Sequence, residues 1–188
     1  DNPKIYGNHL NPVEIEATLK YLTEIKKYTC SQIIDRPTSI LMNPLTYKNR
    51  EKVLEECVFK NIRLHYYTRF VAIMNKNVSI LKAYDYIHPS TDVKSNLLKQ
   101  LDTPVTVKNL PDSLPLNAIR QEVMNQYFRE KLQMTETEIS KARSTYVRLK
   151  HRSLSSIVNV LNVLKNDLNF SNERIVKNSF LIHACGDN

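Results

Sequence analysis

Glycine is almost absent from this chain, and that absence restricts the fold more than any other feature. The 188 residues include two glycines, Gly7 and Gly186, both close to a terminus. Primed hairpin turns, β-bulges and phosphate-cradling loops depend on glycine, because other residues rarely adopt positive φ. The sequence therefore disfavours most β architectures, the P-loop and the dinucleotide-binding folds, and it predicts an all-α chain.

The charge is strongly basic. Lys and Arg number 27 against 19 Asp and Glu, which gives a formal charge of +8. Such an excess attracts polyanions, and it indicates nucleic acid, an anionic surface or an acidic protein as partner. The alternative is that the basic residues only keep a helical protein soluble.

Other classes of protein receive little support. The three cysteines, Cys30, Cys57 and Cys185, are far apart, so neither a disulfide framework nor a zinc module is expected. Recognisable nucleophile and metalloprotease motifs are missing. The sequence therefore predicts no catalytic residues, no metal site and no cofactor. No apolar run approaches the ~20 residues that cross a bilayer, so no membrane partner is expected.

An internal repeat organises the chain. Asn11-Pro12 and Asn43-Pro44 are two similar junctions, in which Asn is a favoured N-cap and Pro suits the first helical position. Thr29, Thr135 and Ser171 each begin a shorter helix, and Ser153 begins a longer one. The spacing predicts long helices over about 12–27, 44–60, 78–87, 115–132 and 154–168. It predicts shorter helices over about 29–36, 62–74, 91–101, 136–149 and 172–182.

Helical periodicity supports this division. One apolar stripe comprises Ile15, Leu19, Leu22 and Ile25, and another comprises Ile157, Leu161, Leu164 and Leu168. Two-helix units of 32–36 residues bury their apolar faces only by stacking. We therefore expect residues 1–188 to form a single helical-repeat domain, a solenoid of about five units; an irregular helical bundle is the alternative. Residues 102–117 contain three prolines and are interpreted as an expanded loop inside one repeat.

The basic residues recur at one position of the repeat. Two residues after an apolar residue stand Arg36, Arg69, Lys141 and Lys177, following Ile34, Tyr67, Ile139 and Ile175 respectively. Equivalent positions of a solenoid align along one face, and cations spaced in this way suit a phosphate backbone. A solvated lysine-rich face is the alternative.

A second basic cluster is local. It comprises Lys141, Arg143, Arg148, Lys150, His151 and Arg152. Such a helix end offers several charge-assisted phosphate contacts, and Arg143 or Arg148 could read a base edge. A separate aromatic set, Tyr66, Tyr67 and Phe70, together with Arg69, resembles a stacking platform, although its spacing favours core packing.

These residues resemble the mitochondrial transcription termination factor (mTERF) family. The similarity rests on the segment from Thr29 to Val58 and on the one that ends at Ile182. Arg36-Pro37 matches a proline that often follows the first helix of each repeat, and Ile40-Leu41 and Phe180-Leu181 match a hydrophobic pair. Ser179 stands where a later repeat would carry the proline, Gln133 and Asn169 replace a common glycine, and residues 87–117 fit poorly.

The resemblance implies a curved, left-handed helical superstructure in mitochondria or plastids, with a basic concave groove for duplex DNA. We therefore expect a sequence-specific duplex-binding regulator or terminator of mitochondrial transcription. The alternatives are an RNA-binding factor in ribosome assembly and a helical scaffold that binds a protein partner. Since the chain begins at Asp1 and ends beyond a first helix, we also expect an upstream leader, such as a transit peptide, and further repeats.

Overall fold

The computed structural model describes residues 11–145 and 151–184, and in these ranges the chain is helical with two isolated β-bridges and no β-strand. The first half contains α1 (Pro12–Lys20), α2 (Cys30–Ile34), α3 (Pro44–Glu56), α4 (Leu64–Thr68), α5 (Phe70–Met74), α6 (Val78–Ala83) and α7 (Val93–Leu98). The second half contains α8 (Leu116–Leu132), α9 (Glu136–Thr145), α10 (Leu154–Asn162), α11 (Asn172–Lys177) and α12 (Phe180–Ala184). The prediction of an all-α chain is confirmed.

The caps named from the sequence begin the helices as expected. Asn11 and Asn43 accept hydrogen bonds from the first turns of α1 and α3, each with proline at the first helical position. Thr29 forms a full capping box with Gln32, and the Thr135 hydroxyl accepts from the N–H of Glu138. These contacts satisfy N–H groups that the helix itself leaves without partners. The alternation of long and short helices therefore follows from local capping.

The segments predicted as long helices end in a common way, although the one predicted over 78–87 forms only the six-residue α6. Positive φ occurs just after each of them, at Lys27, Val58, Asp85, Gln133 and Asn169. At three of these exits the next residue donates its N–H to a carbonyl six residues back, from Tyr28 to Leu22, Met134 to Phe128 and Phe170 to Leu164. At the other two exits the accepting carbonyl is five residues back, from Phe59 to Leu54 and from Tyr86 to Leu81, which is the 6→1 bond of a Schellman motif. At the first three exits the next N-cap, Thr29, Thr135 or Ser171, follows one residue later.

Two long helices contain a π turn near their C-terminal ends. These turns are Tyr21–Ile25, which continues α1, and Val163–Asp167, which continues α10. A π turn widens the helix, so residues after its start are rotated away from the 3.6-residue stripe. The predicted stripes fail there, because Ile25 is 66% exposed and Leu168 is 53% exposed.

One segment, between the second unit and the later units, starts and ends at the same place in the structure. The N–H groups of Ser79 and Val78 donate to the carbonyls of Asp112 and Leu114, at 2.8 and 3.1 Å. Leu116 donates to Lys76 at 3.0 Å. Residues 78–114 therefore form an excursion whose two ends are paired. It carries α6, α7 and a proline-containing stretch, 99–115, that has no helix, in agreement with the predicted loop.

The buried side chains form two cores. The larger core extends from Val53 to Ile182 and joins the excursion with α3, α5, α8 and α10. The smaller core is rich in tyrosine and comprises Tyr21, Leu22, Ile33, Tyr47, Leu64 and Tyr67. It attaches the first unit, residues 12–41, to the second, residues 44–74. Ile62 packs against both cores.

Candidate nucleic-acid interface

Three arginines converge on His65, and we call them the arginine cluster: Arg36, Arg63 and Arg69. Arg63 and Arg69 lie at the two ends of the short helix α4, on either side of His65. Arg36 precedes the 3₁₀ helix Pro37–Leu41, which packs against α4. All three are exposed. The cluster therefore combines three exposed arginines from two helices that pack against each other.

The electrostatic effect of the cluster appears at His65. Burial of the half-buried imidazole, followed by the positive charges of Arg36, Arg63 and Arg69, lowers the pKa of His65. Each arginine acts in the same direction because a second positive charge nearby is unfavourable. Among the described residues, none of the three guanidinium groups forms an ion pair. The positive charge of these groups is therefore available to an anionic ligand.

An aromatic layer lies beneath the cluster. The ring of His65 lies 4.4 Å from that of Tyr66 and 6.3 Å from that of Tyr86, and the two tyrosine rings are 5.0 Å apart. Tyr66, Tyr67 and Phe70 are buried, which confirms that core packing is their role. Edge-to-face contacts of this kind hold the rings in fixed positions. His65, on which the arginine cluster acts, is therefore held against two tyrosine rings.

The proposed repeat register needs a correction in the first unit. In each short helix of the proposed register, the residue four places after the N-cap is buried. These residues are Ile33, Tyr67, Ile139 and Ile175. Ile34, the reference residue chosen from the sequence, is 74% exposed. Two places after the buried residue, the first unit therefore carries Asp35, and Arg36 lies one residue beyond the register.

The other three units keep the register. Arg69, Lys141 and Lys177 each follow a buried residue by two places, and all three are exposed. Lys177 pairs with Glu173 at 2.8 Å on the exposed face of α11, and the hydrogen bond to that carboxylate raises the pKa of Lys177. We call Arg69, Lys141 and Lys177 the register cations. They occupy one position on three short helices.

The basic cluster near α9 divides in the structure. Arg143 is half-buried, and its guanidinium donates to the side-chain oxygens of Gln121 and Asn125 on α8. It lines an open groove of about 440 Å³ together with Gln121, Glu136, Ser140 and Ser144. Arg148 and Lys150 lie outside the described residues.

Arg152 lies in the interior, not on the predicted surface. It is 8% exposed, and its guanidinium donates to the carbonyl of Ile182 at 2.6 Å. Its own carbonyl accepts from the buried Arg120 at 2.7 Å. These contacts connect α8, the start of α10 and α12. We therefore leave Arg152 out of the candidate interface, because a phosphate has little access to it.

Arg63 and His65 were missed in the sequence. Neither fits the two-residue spacing, since Arg63 occupies a cap position and His65 the first turn of α4. The available signal was the density of basic side chains across the segment from Arg63 to Arg69. That signal alone does not identify the arginine cluster, because Arg36 joins it only through the packing of the 3₁₀ helix on α4.

The part of the chain that the structure describes contains neither a metal-binding group nor a membrane-spanning helix. Over residues 11–145 and 151–184, no group of three or more His, Cys, Asp or Glu side chains could hold a metal ion. Cys30 and Cys57 are both free thiols. Within the same ranges, no helix combines the length and apolar character that a membrane span requires.

Comparison with known proteins places the chain in a family. No family model matches the sequence, and no solved structure matches the chain. The chain is 34% identical over 165 residues to a Drosophila melanogaster protein, transcription termination factor 5, mitochondrial. The alignment covers 86% of this chain and 30% of the relative, so the chain spans less than a third of the relative's length. Identity at this level across most of an all-α chain shows that it belongs to the mitochondrial transcription termination factor family.

Proposed function

We propose that this chain is a non-enzymatic, sequence-specific duplex-DNA-binding module that regulates or terminates transcription in mitochondria. The name of the Drosophila relative supplies the biological setting. That name describes a termination factor, and binding of this kind requires no proton transfer or nucleophile from the protein. Location in the mitochondrial matrix is part of the same proposal.

The observation that carries the proposal is the placement of the register cations. Arg69, Lys141 and Lys177 are exposed at one position of three short helices. Phosphates recur regularly along a duplex, and cations repeated along an array of helices suit such a ligand. The arginine cluster adds Arg36 and Arg63 next to Arg69. Arg143, in the groove between α8 and α9, is the proposed reader of a base edge.

A salt titration of duplex binding tests this proposal. Each phosphate contact contributes about −0.9 to the slope of log K against log salt concentration. We expect Arg69→Gln and Lys141→Gln each to make the slope shallower by about that amount. Lys20→Gln is the matched control, since Lys20 lies on α1 outside the register and pairs with Glu16. A wild-type slope near zero would contradict the proposal.

Competition between a DNA duplex and a structured ribosomal RNA tests the choice of ligand. We expect the duplex to displace the RNA. The opposite result would support a role in mitochondrial ribosome assembly and would overturn the DNA assignment. If neither competitor binds while a protein partner is retained after charge reversal at Arg69 and Lys141, the chain is a scaffold.

A further inference from the structure

The arginine cluster lies across the boundary between two separately packed parts of the molecule. Arg36 belongs to the first unit, whose core contacts are Tyr21, Leu22 and Ile33. Arg63 and Arg69 belong to the second unit, which is continuous with the larger core through Tyr66 and Phe70. A ligand that bridges the cluster therefore contacts both units.

The attachment of the first unit to the second is small and contains many polar groups. The tyrosine-rich core is much smaller than the core that joins the other units. Around it, the Tyr47 hydroxyl donates to the carbonyl of Ser39 at 2.8 Å, and Lys26 pairs with Glu51. Units that bury little apolar surface open locally at a lower free energy than the rest of a protein. The first unit is therefore the part of the array that we expect to undock most readily.

Charge at the boundary opposes docking when no ligand is present. Docking packs the 3₁₀ helix that follows Arg36 against α4, whose two ends carry Arg63 and Arg69, and none of the three arginines has an ion-pair partner among the described residues. A phosphate bound between the arginines replaces this repulsion with attraction, because each guanidinium then forms a charge-assisted hydrogen bond to the phosphate. Such a ligand binds the docked arrangement better than the undocked one, and so shifts the population towards docking.

We propose that the arginine cluster is a phosphate clamp, and that a backbone phosphate bound there locks the first repeat unit onto the second. This inference rests on the proposed function for the identity of its ligand, nucleic-acid phosphate. The clamp holds the first unit rigidly against the second only when nucleic acid is bound. Arg36 is the essential residue, since it is the cluster's contribution from the first unit.

Hydrogen exchange of backbone amides measures the docking directly. Amides of α1 and α2 report opening of the first unit, and amides of α10 report the larger core. With a saturating short DNA duplex, we expect exchange of α1 and α2 to slow by the factor by which the docked arrangement binds the duplex more tightly than the undocked one, on the order of tenfold. Arg36→Gln should bind the duplex more weakly, because one phosphate contact is lost, and at a duplex concentration that saturates the variant its α1 and α2 should gain no protection. Lys20→Gln, which removes a charge from the same unit, keeps the wild-type response.

The possible outcomes separate the clamp from the proposed function. If the duplex binds wild type without protecting α1 and α2, or protects them equally in Arg36→Gln, the clamp is wrong and the proposed function stands. If the duplex does not bind, the proposed function fails and inorganic pyrophosphate becomes the probe. Arg36-dependent protection of α1 and α2 by pyrophosphate then supports the clamp as an anion site, and its absence overturns it.

Discussion

The buried carboxylate of Glu56, at the end of α3, accepts a hydrogen bond from the backbone N–H of Leu154, 98 residues later in the chain, at 2.9 Å. The same carboxylate accepts from the N–H and the hydroxyl of Ser155, at 2.9 and 2.7 Å. Both residues form the first turn of α10, where the helix dipole favours a negative charge. Glu56 therefore fixes the second repeat unit to a helix far away in the sequence.

Replacing Glu56 with alanine should destabilise the chain. The variant leaves two backbone N–H groups at a buried helix terminus without their acceptor. We expect the free energy of unfolding to fall by about 2–4 kcal/mol, measured by urea denaturation. Glu55→Ala is the control, because Glu55 is the exposed neighbour on the same helix, and it should change stability by less than about 0.5 kcal/mol. Equal losses in the two variants would mean that the contact between Glu56 and α10 contributes nothing specific.

Replacing Gln133 with glycine should stabilise the chain. Gln133 follows α8 with φ of 59°, in the left-handed region that disfavours residues with a Cβ. We expect a gain of about 0.5–1 kcal/mol in the free energy of unfolding, visible as a higher urea midpoint. Asn169 occupies the same position after the last long helix with φ of 52°. Asn169→Gly should gain less, because asparagine tolerates this region better than glutamine does. A larger gain at Asn169 would contradict this explanation.

Features that depend on neighbouring residues could be predicted from the sequence. The caps at Thr29, Thr135 and Ser171 were identified correctly, because a cap and the N–H that it accepts from lie within three residues of each other. The loss of helical pattern before α8 was also identified, since prolines restrict the local backbone.

Features that depend on distant residues could not be predicted in this way. Nothing near Glu56 indicates Leu154, and nothing in a run of basic residues shows that Arg152 turns inward to Ile182. The register failed at Arg36 because helical spacing alone does not decide which of Ile33 and Ile34 is buried. The same residue joins the arginine cluster only because its 3₁₀ helix packs on α4.

Replacing Arg152 with glutamine should affect stability more than binding. The guanidinium hydrogen bond to the carbonyl of Ile182 is buried, and its loss should lower the free energy of unfolding by about 1–3 kcal/mol. The slope of log K against log salt for duplex binding should stay at its wild-type value. Lys141→Gln should behave in the opposite way: its salt slope should be shallower, and its free energy of unfolding should stay within about 0.5 kcal/mol of wild type. A shallower slope in Arg152→Gln would return Arg152 to the interface.

Protonation of His65 should couple stability to pH. Burial and the arginine cluster hold the pKa of His65 below its ordinary value of 6.5 in the folded chain. As pH falls through the unfolded value, the unfolded state binds a proton that the folded state does not, so stability decreases. Stability continues to decrease until the pH reaches the pKa of His65 in the folded chain. His65→Gln should remove this part of the loss, measured as the difference from wild type in urea denaturation at a series of pH values.

Binding should depend on His65 in the opposite direction. The charges of Arg36, Arg63 and Arg69 act on the imidazole, and the rings of Tyr66 and Tyr86 lie 4.4 and 6.3 Å from it. A bound phosphate offsets the arginine charges and favours the protonated imidazole, so duplex binding should take up a proton. We expect wild-type affinity to rise about threefold or more between about pH 7.5 and about pH 5.5, relative to His65→Gln measured in parallel. Because the chain contains other histidines, the comparison with His65→Gln is what isolates this group. Identical pH profiles for the two proteins would show that no phosphate approaches His65.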